Sequence, residues 1–194
     1  MLASRKTYVG LSVLVLLLVS VCSCGAGSNA ATNESDELRL SRLRVDLEQA
    51  QVESRMIAVR TKEGLASSTD LMHAEIKVES LRARLARHEE DWTRALDSLS
   101  KVVAGQKRIL DLERRMLDEG ACAARDVNVS RIDLSQTQVL YELMTIISIR
   151  QSDVDRTTGM VDNGIAPQLQ LLRAKDELNK ACGLYDDMCE RFKR

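Results

Sequence analysis

The side chains best suited to chemistry in this chain are two histidines, His73 and His88, the acidic run Glu89-Glu90-Asp91, and five cysteines. A histidine set against carboxylates or thiolates is the raw material of acid-base catalysis or of a metal site. Neither histidine, however, has a Cys or acidic partner at a ligand spacing such as HExxH. His88 falls on an apolar seam with His73 beside it, so both are expected to be structural, the acidic run a solvated helix face and Trp92 a core anchor. "VVAGQKR" holds one glycine and lacks the spacing of a phosphate loop. Of the cysteines, Cys122, Cys182 and Cys189 lie beyond the N-terminal region, an odd number that cannot all pair internally. Cys182 and Cys189 stand about two helical turns apart, roughly 10 Å of rise, and read as small core residues. No enzyme, metal ligand or cofactor is expected. The net charge of -1, with both signs interspersed, gives no electrostatic footprint for nucleic acid.

The elements that position these residues begin after a leader. "MLASRKTYVGLSVLVLLLVSVCSCGAGS" carries Arg5 and Lys6, an apolar run from about Val9 to Val21, then small residues, the pattern of a secretion signal. The run is short for a span, which needs about 20 apolar residues. Val21-Cys22-Ser23-Cys24 resembles the lipobox of bacterial lipoproteins, and the resemblance implies cleavage after residue 23 and acylation of Cys24; simple secretion, with cleavage nearer Ala26 to Ala31, is the alternative. Residues 24-36, small and polar, are expected to be a flexible tether. The folded domain is expected over 37-194, beginning near Leu38.

That domain reads as all-α. Few aromatics, a single proline and abundant Leu, Ala, Arg, Glu and Asp suit long helices rather than a sheet. Leu71, Ala74, Val78, Leu81, Leu85, His88, Trp92, Ala95, Leu99 and Val102 alternate steps of three and four, a coiled-coil seam. Leu171, Ala174, Leu178, Ala181, Tyr185, Met188 and Phe192 repeat the pattern. Two other stretches carry two stripes each. Leu40, Leu43, Leu47, Ala50 and Ile57 form one stripe beside Leu38, Val45, Val52 and Val59; Ile132, Val139, Leu143 and Ile146 lie beside Leu140, Ile147 and Val154. Two stripes mean two partners. Four helices are expected, about 37 to 62, 69 to 118, 125 to 161 and 167 to 193, as antiparallel coiled-coil hairpins or an elongated four-helix bundle. The second would be about 75 Å long if straight, with a bend or turn expected near Ala104-Gly105.

Three glycines punctuate the pattern. "GLASSTDLMHA", "GACAARDVNVS" and "GIAPQLQLLRA" start at Gly64, Gly120 and Gly164, and six positions later come Asp70, Asp126 and Gln170. A glycine supplies the left-handed residue that ends a helix and costs about 1 kcal/mol inside one. Ser67 with Asp70 suits a capping box for the next helix, and Pro167 occupies the matching offset, where a proline is harmless. With Leu65 and Ile165 completing the tips, this Gly-aliphatic-small-Ser-x-x-Asp-Leu/Val-x-x-Ala pattern resembles the helical hairpin ends of TolC-type outer-membrane efflux proteins and, more loosely, the coiled-coil hairpin of periplasmic adaptors. The resemblance covers the hairpins alone, since nothing here alternates like the strands of a membrane barrel.

What the resemblance implies is an envelope protein on the periplasmic side, lipid-anchored at Cys24, probing other copies of itself or an export complex with tips built from Gly64, Leu65, Ser67, Asp70, Gly120, Asp126, Gly164, Ile165 and Gln170. The alternative expectation is a small-ligand or metal-binding bundle with its ligand near His88 and Trp92.

Overall fold

The computed structural model describes residues 31–192, with side chains from Glu37; the leader, Cys24 and most of the expected tether lie outside the described residues. The described chain is all-α and contains five helices: α1 (Ala31–Lys62), α2 (Ser68–His88), α3 (Trp92–Asp118), α4 (Ala124–Asp162) and α5 (Gln168–Arg191). Two expectations need correcting. Helix begins at Ala31, so the latter part of the expected tether is helical. The single helix expected over 69 to 118 is two, broken at Glu89-Glu90-Asp91 rather than bent at Gly105, and the fourfold division becomes fivefold.

Helices α1 to α4 end by the same device. The residue after the C-cap takes a left-handed conformation, and its amide and the next one donate to carbonyls of the last turn: Gly64 to Thr61 at 3.1 Å and Leu65 to Arg60 at 2.7 Å, Gly120 to Leu117 and Ala121 to Met116, Gly164 to Val161 and Ile165 to Met160. These are Schellman closures, which satisfy carbonyls that a helix end leaves without partners. The break inside 69 to 118 is a fourth copy. Glu90 takes φ 55°, its amide donates to Arg87 and that of Asp91 to Ala86. The new helices then start on caps. Ser67 and Asp70 form the expected reciprocal capping box, the Asp91 carboxylate accepts from the Arg94 amide, and Ala123 and Pro167 hold extended backbone without a side-chain cap.

Consecutive helices pack on one another. Contacts pair ascending residues of one helix with descending residues of the next, as in Arg44–Glu89 and Glu53–Lys77 between α1 and α2. The principal core gathers Ala83 and Ala86 of α2, Ala95 and Leu99 of α3, Leu140, Met144 and Ile147 of α4, and Ala181, Tyr185 and Cys189 of α5, with Trp92 packed against it. Alanine is used where four helices meet because a small side chain lets their backbones approach. Arg87 closes the α2–α5 side, its guanidinium 4.7 Å from the centre of the Tyr185 ring and paired with Asp186. A second cluster packs Leu43, Leu47 and Ala50 of α1 on Val78, Leu81 and Leu85 of α2, and each fully buried leucine there contributes about 1.5–3 kcal/mol. Gly105 lies within α3, where an added Cβ would stand 2.7 Å from Cγ1 of Ile76. Its role is close helix approach.

A left-handed conformation costs an L-residue about 1–2 kcal/mol and glycine almost nothing. Glu90→Gly is therefore expected to raise stability by about 1 kcal/mol, and Gly64→Ala to lower it by a similar amount. Urea unfolding followed by circular dichroism checks both, and a Glu90→Gly midpoint at or below that of the parent contradicts the assignment.

Candidate functional site

The structure separates the three glycine-marked tips. Following the chain back and forth, the Gly64 and Gly120 turns lie at one end of the molecule and the Glu90 and Gly164 turns at the other. α4 continues past the start of α3, so the Gly164 turn also projects beyond the Glu90 turn. The apolar clusters take nothing from α4 after Ile147 and, on α5, start at Leu178. Leu65 is 67% exposed and Ile165 70%, each just after its left-handed glycine, while the Gly120 turn presents Ala121 at that position. Asp70 accepts from the Ser67 amide at 3.0 Å and returns its own amide to the Ser67 hydroxyl. The amides of Asp126 and Gln170 donate to the carbonyls of Ala123 and Pro167. These residues shape helix starts, and Leu65 and Ile165 are the apolar groups the tips offer outward.

The double stripe of α1 resolves into one buried and one open face. On α1, Leu43, Leu47 and Ala50 are covered by α2, whereas Leu38, Val45, Val52, Met56 and Val59 are exposed. On α4, Leu140, Ile147 and Val154 are buried; of the other stripe, Leu143 packs against the principal core and Val139 is half-buried, whereas Ile132 and Ile146, with Ile149, are exposed. Among the described residues nothing covers these exposed side chains, although α4 packs on both α3 and α5.

Burial holds the His73 imidazole below its usual range against the opposing pull of Asp70. Burial is also the leading cause that raises the Cys182 thiol and the Cys122 thiol, the latter helped by Asp126 and Glu113, so neither is poised as a thiolate nucleophile. Among the described residues no group of three or more His, Cys, Asp or Glu is placed to hold a metal ion. An open groove of about 450 Å³ runs between α1, α2 and α3 over Ile76 and Gly105, away from the His88–Trp92 position at which a ligand was considered. Charged groups at its rim are engaged locally, Arg82 with Glu79 at 2.5 Å and Lys101 with Asp97 at 2.6 Å.

Sequence reasoning passed over the polar layers between α3 and α4. Gln106 and Glu113, seven residues apart on α3, are buried, as are Ser130 and Thr137, seven apart on α4. Burial, helped by the nearby Asp126 charge, raises Glu113 above the usual carboxylate range, although Ser130 stands beside it and draws its carboxyl down. Burial, with Glu113 second, lifts Asp133 to about 6. The seven-residue spacing of polar residues was the available signal.

No helix among the described residues is long and apolar enough to cross a membrane. No family model, curated protein or solved structure matches the chain.

A carboxylate raised on folding favours the folded state while protonated. The Asp133 contribution is complete below the unfolded value near ~3.9 and is lost as pH rises through about 6. Because Asp133 is only half-buried, solvent screening keeps the effect on the order of 1 kcal/mol. Asp133→Asn should flatten the decline in stability between pH 4 and 6 and leave the variant more stable at pH 7, as read by urea titrations across that range; an unchanged slope contradicts it.

Proposed function

We propose that this is a lipid-anchored protein of the bacterial cell envelope, facing the periplasm, whose helices work as coiled-coil hairpins in an elongated bundle. It acts as a structural or interaction component of an envelope or efflux/export assembly. The observation that carries the reading is the open heptad stripe on α1. Leu38, Val45, Val52 and Val59 repeat every seven residues and are each more than half exposed, although the opposite face of the same helix is fully engaged with α2. An apolar row of that period costs solubility unless a partner helix covers it, and it suits knobs-into-holes docking. The projecting Gly164 turn and the Gly64 turn add exposed Ile165 and Leu65 at opposite ends. The lipobox-like Val21-Cys22-Ser23-Cys24 supplies the tether, through Cys24. No nucleic acid, metal or cofactor enters this mechanism.

Leu65→Asp changes an exposed side chain without touching a core contact, so helicity should be unchanged while capture of envelope proteins from native membranes by the tagged full-length chain falls several-fold. Capture equal to that of the parent counts against the tip. Metabolic labelling with a fatty acid should mark the parent and not Cys24→Ala, and label retained in that variant would refute anchoring there.

A further inference from the structure

The open faces of α1 and α4 match each other in period, height, direction and charge. We infer that the partner of the α1 stripe is a second copy of this chain, with the α4 stripe of one copy seated on α1 of the next. The inference rests on the reading above in treating the open stripes as docking faces.

The period is the same on both sides. Val45, Val52 and Val59 repeat at seven residues, and so do Ile132, half-buried Val139 and Ile146, with Met56 and Ile149 filling intermediate positions. The height follows from contacts carried from helix to helix. Glu53 meets Lys77, Ile76 meets Gly105, and Glu113 meets Ser130, which places Val52 at about the level of Val139, Val45 at that of Ile146 and Val59 at that of Ile132. The two rows thus face outward from one molecule at matching heights. α1 and α4 are separated by three reversals, so they run in opposite directions, and a neighbouring copy can bring its α4 onto α1 as an antiparallel pair with no slide along the axis. Repetition by rotation without slide is what closed cyclic assembly requires; a slide would give an open filament.

Charge selects between this pairing and the simplest alternative. Over the stripe, from Leu38 to Lys62, α1 carries six Arg or Lys against three Asp or Glu. Over the matching heights, residues 130 to 154, α4 carries two Arg against three Asp or Glu. Two α1 faces set against each other bring together surfaces of like net sign, whereas α1 on α4 brings opposite signs together. The intramolecular neighbours of α4 do not compete, because α3 and α5 take the side bearing Leu140, Met144 and Ile147.

The test uses the full-length chain in mild detergent. Val52→Cys and Val139→Cys copies are prepared separately, then oxidised alone and after mixing. A disulfide-linked dimer that forms in the mixture well above either variant alone supports the pairing. Cross-linking of Val52→Cys alone to the same extent shows α1 against α1 and overturns it. Sedimentation should find the parent associated and Val52→Asp reduced to a single chain with unchanged helicity. A parent that runs as a single chain at tens of micromolar, or a Val52→Asp variant that stays associated, also overturns it. Failure of the functional reading is separable: association with no fatty-acid label and no envelope partner leaves this pairing standing, and capture of envelope proteins by a single-chain parent does the reverse.

Discussion

A helix ends with carbonyls that have no partner, and this chain must end helices and restart them within three to five residues. It meets that constraint four times with one closure, a left-handed residue whose amide and the next turn back onto the final turn. Helix lengths, the end of the molecule at which each turn emerges and the faces left open all depend on where these closures fall. Moving one by two residues would rotate the next helix by more than half a turn and exchange its buried stripe for its open one.

Three of the closures were legible because glycine marks them. Gly64, Gly120 and Gly164 sit where the pattern placed them, and the Ser67–Asp70 box follows as expected. The fourth was hidden for two physical reasons. Glu90 adopts the left-handed conformation although nothing in its chemistry announces it. The short turn also preserves the three-four rhythm, so Leu85, His88, Trp92 and Ala95 read as one seam across a reversal of direction. Gly105 misled in the opposite sense: it looked like an interruption and is a point of contact with Ile76, which propensity alone cannot distinguish from a bend. The two stripes of α1 were legible as faces, whereas on α4 Leu143 of the expected outer stripe packs against the core, because which side is covered depends on the neighbouring helices.

The tips show why a local motif does not define a site. Their backbone geometry is shared, yet a single helix between Gly120 and Gly164 sends those two to opposite ends, while the two helices between Gly64 and Gly120 return them to the same end. A shared motif of this kind reports a common way of turning. What the turns offer outward differs as well, with Leu65 and Ile165 large and exposed and Ala121 small.

Height along the molecule is set less by the apolar contacts, which tolerate a slide of one heptad, than by the polar layers between α3 and α4. Glu113 stands beside Ser130, and Gln106 stands one heptad further along α3, as Thr137 does along α4. A slide by seven residues would set Glu113 beside Ala123 in one direction and Gln106 beside Met144 in the other, so either way a buried polar side chain would face an apolar one at a cost in free energy. Polar residues in an apolar seam act on register in this way at some expense of stability. Here the raised Glu113 and Asp133 mark that expense, and the return is a fixed height of α4 relative to α2 and α1. Because the open stripes of α1 and α4 are matched in height only when that register holds, the buried acid that weakens the α3–α4 contact also aligns the outer faces.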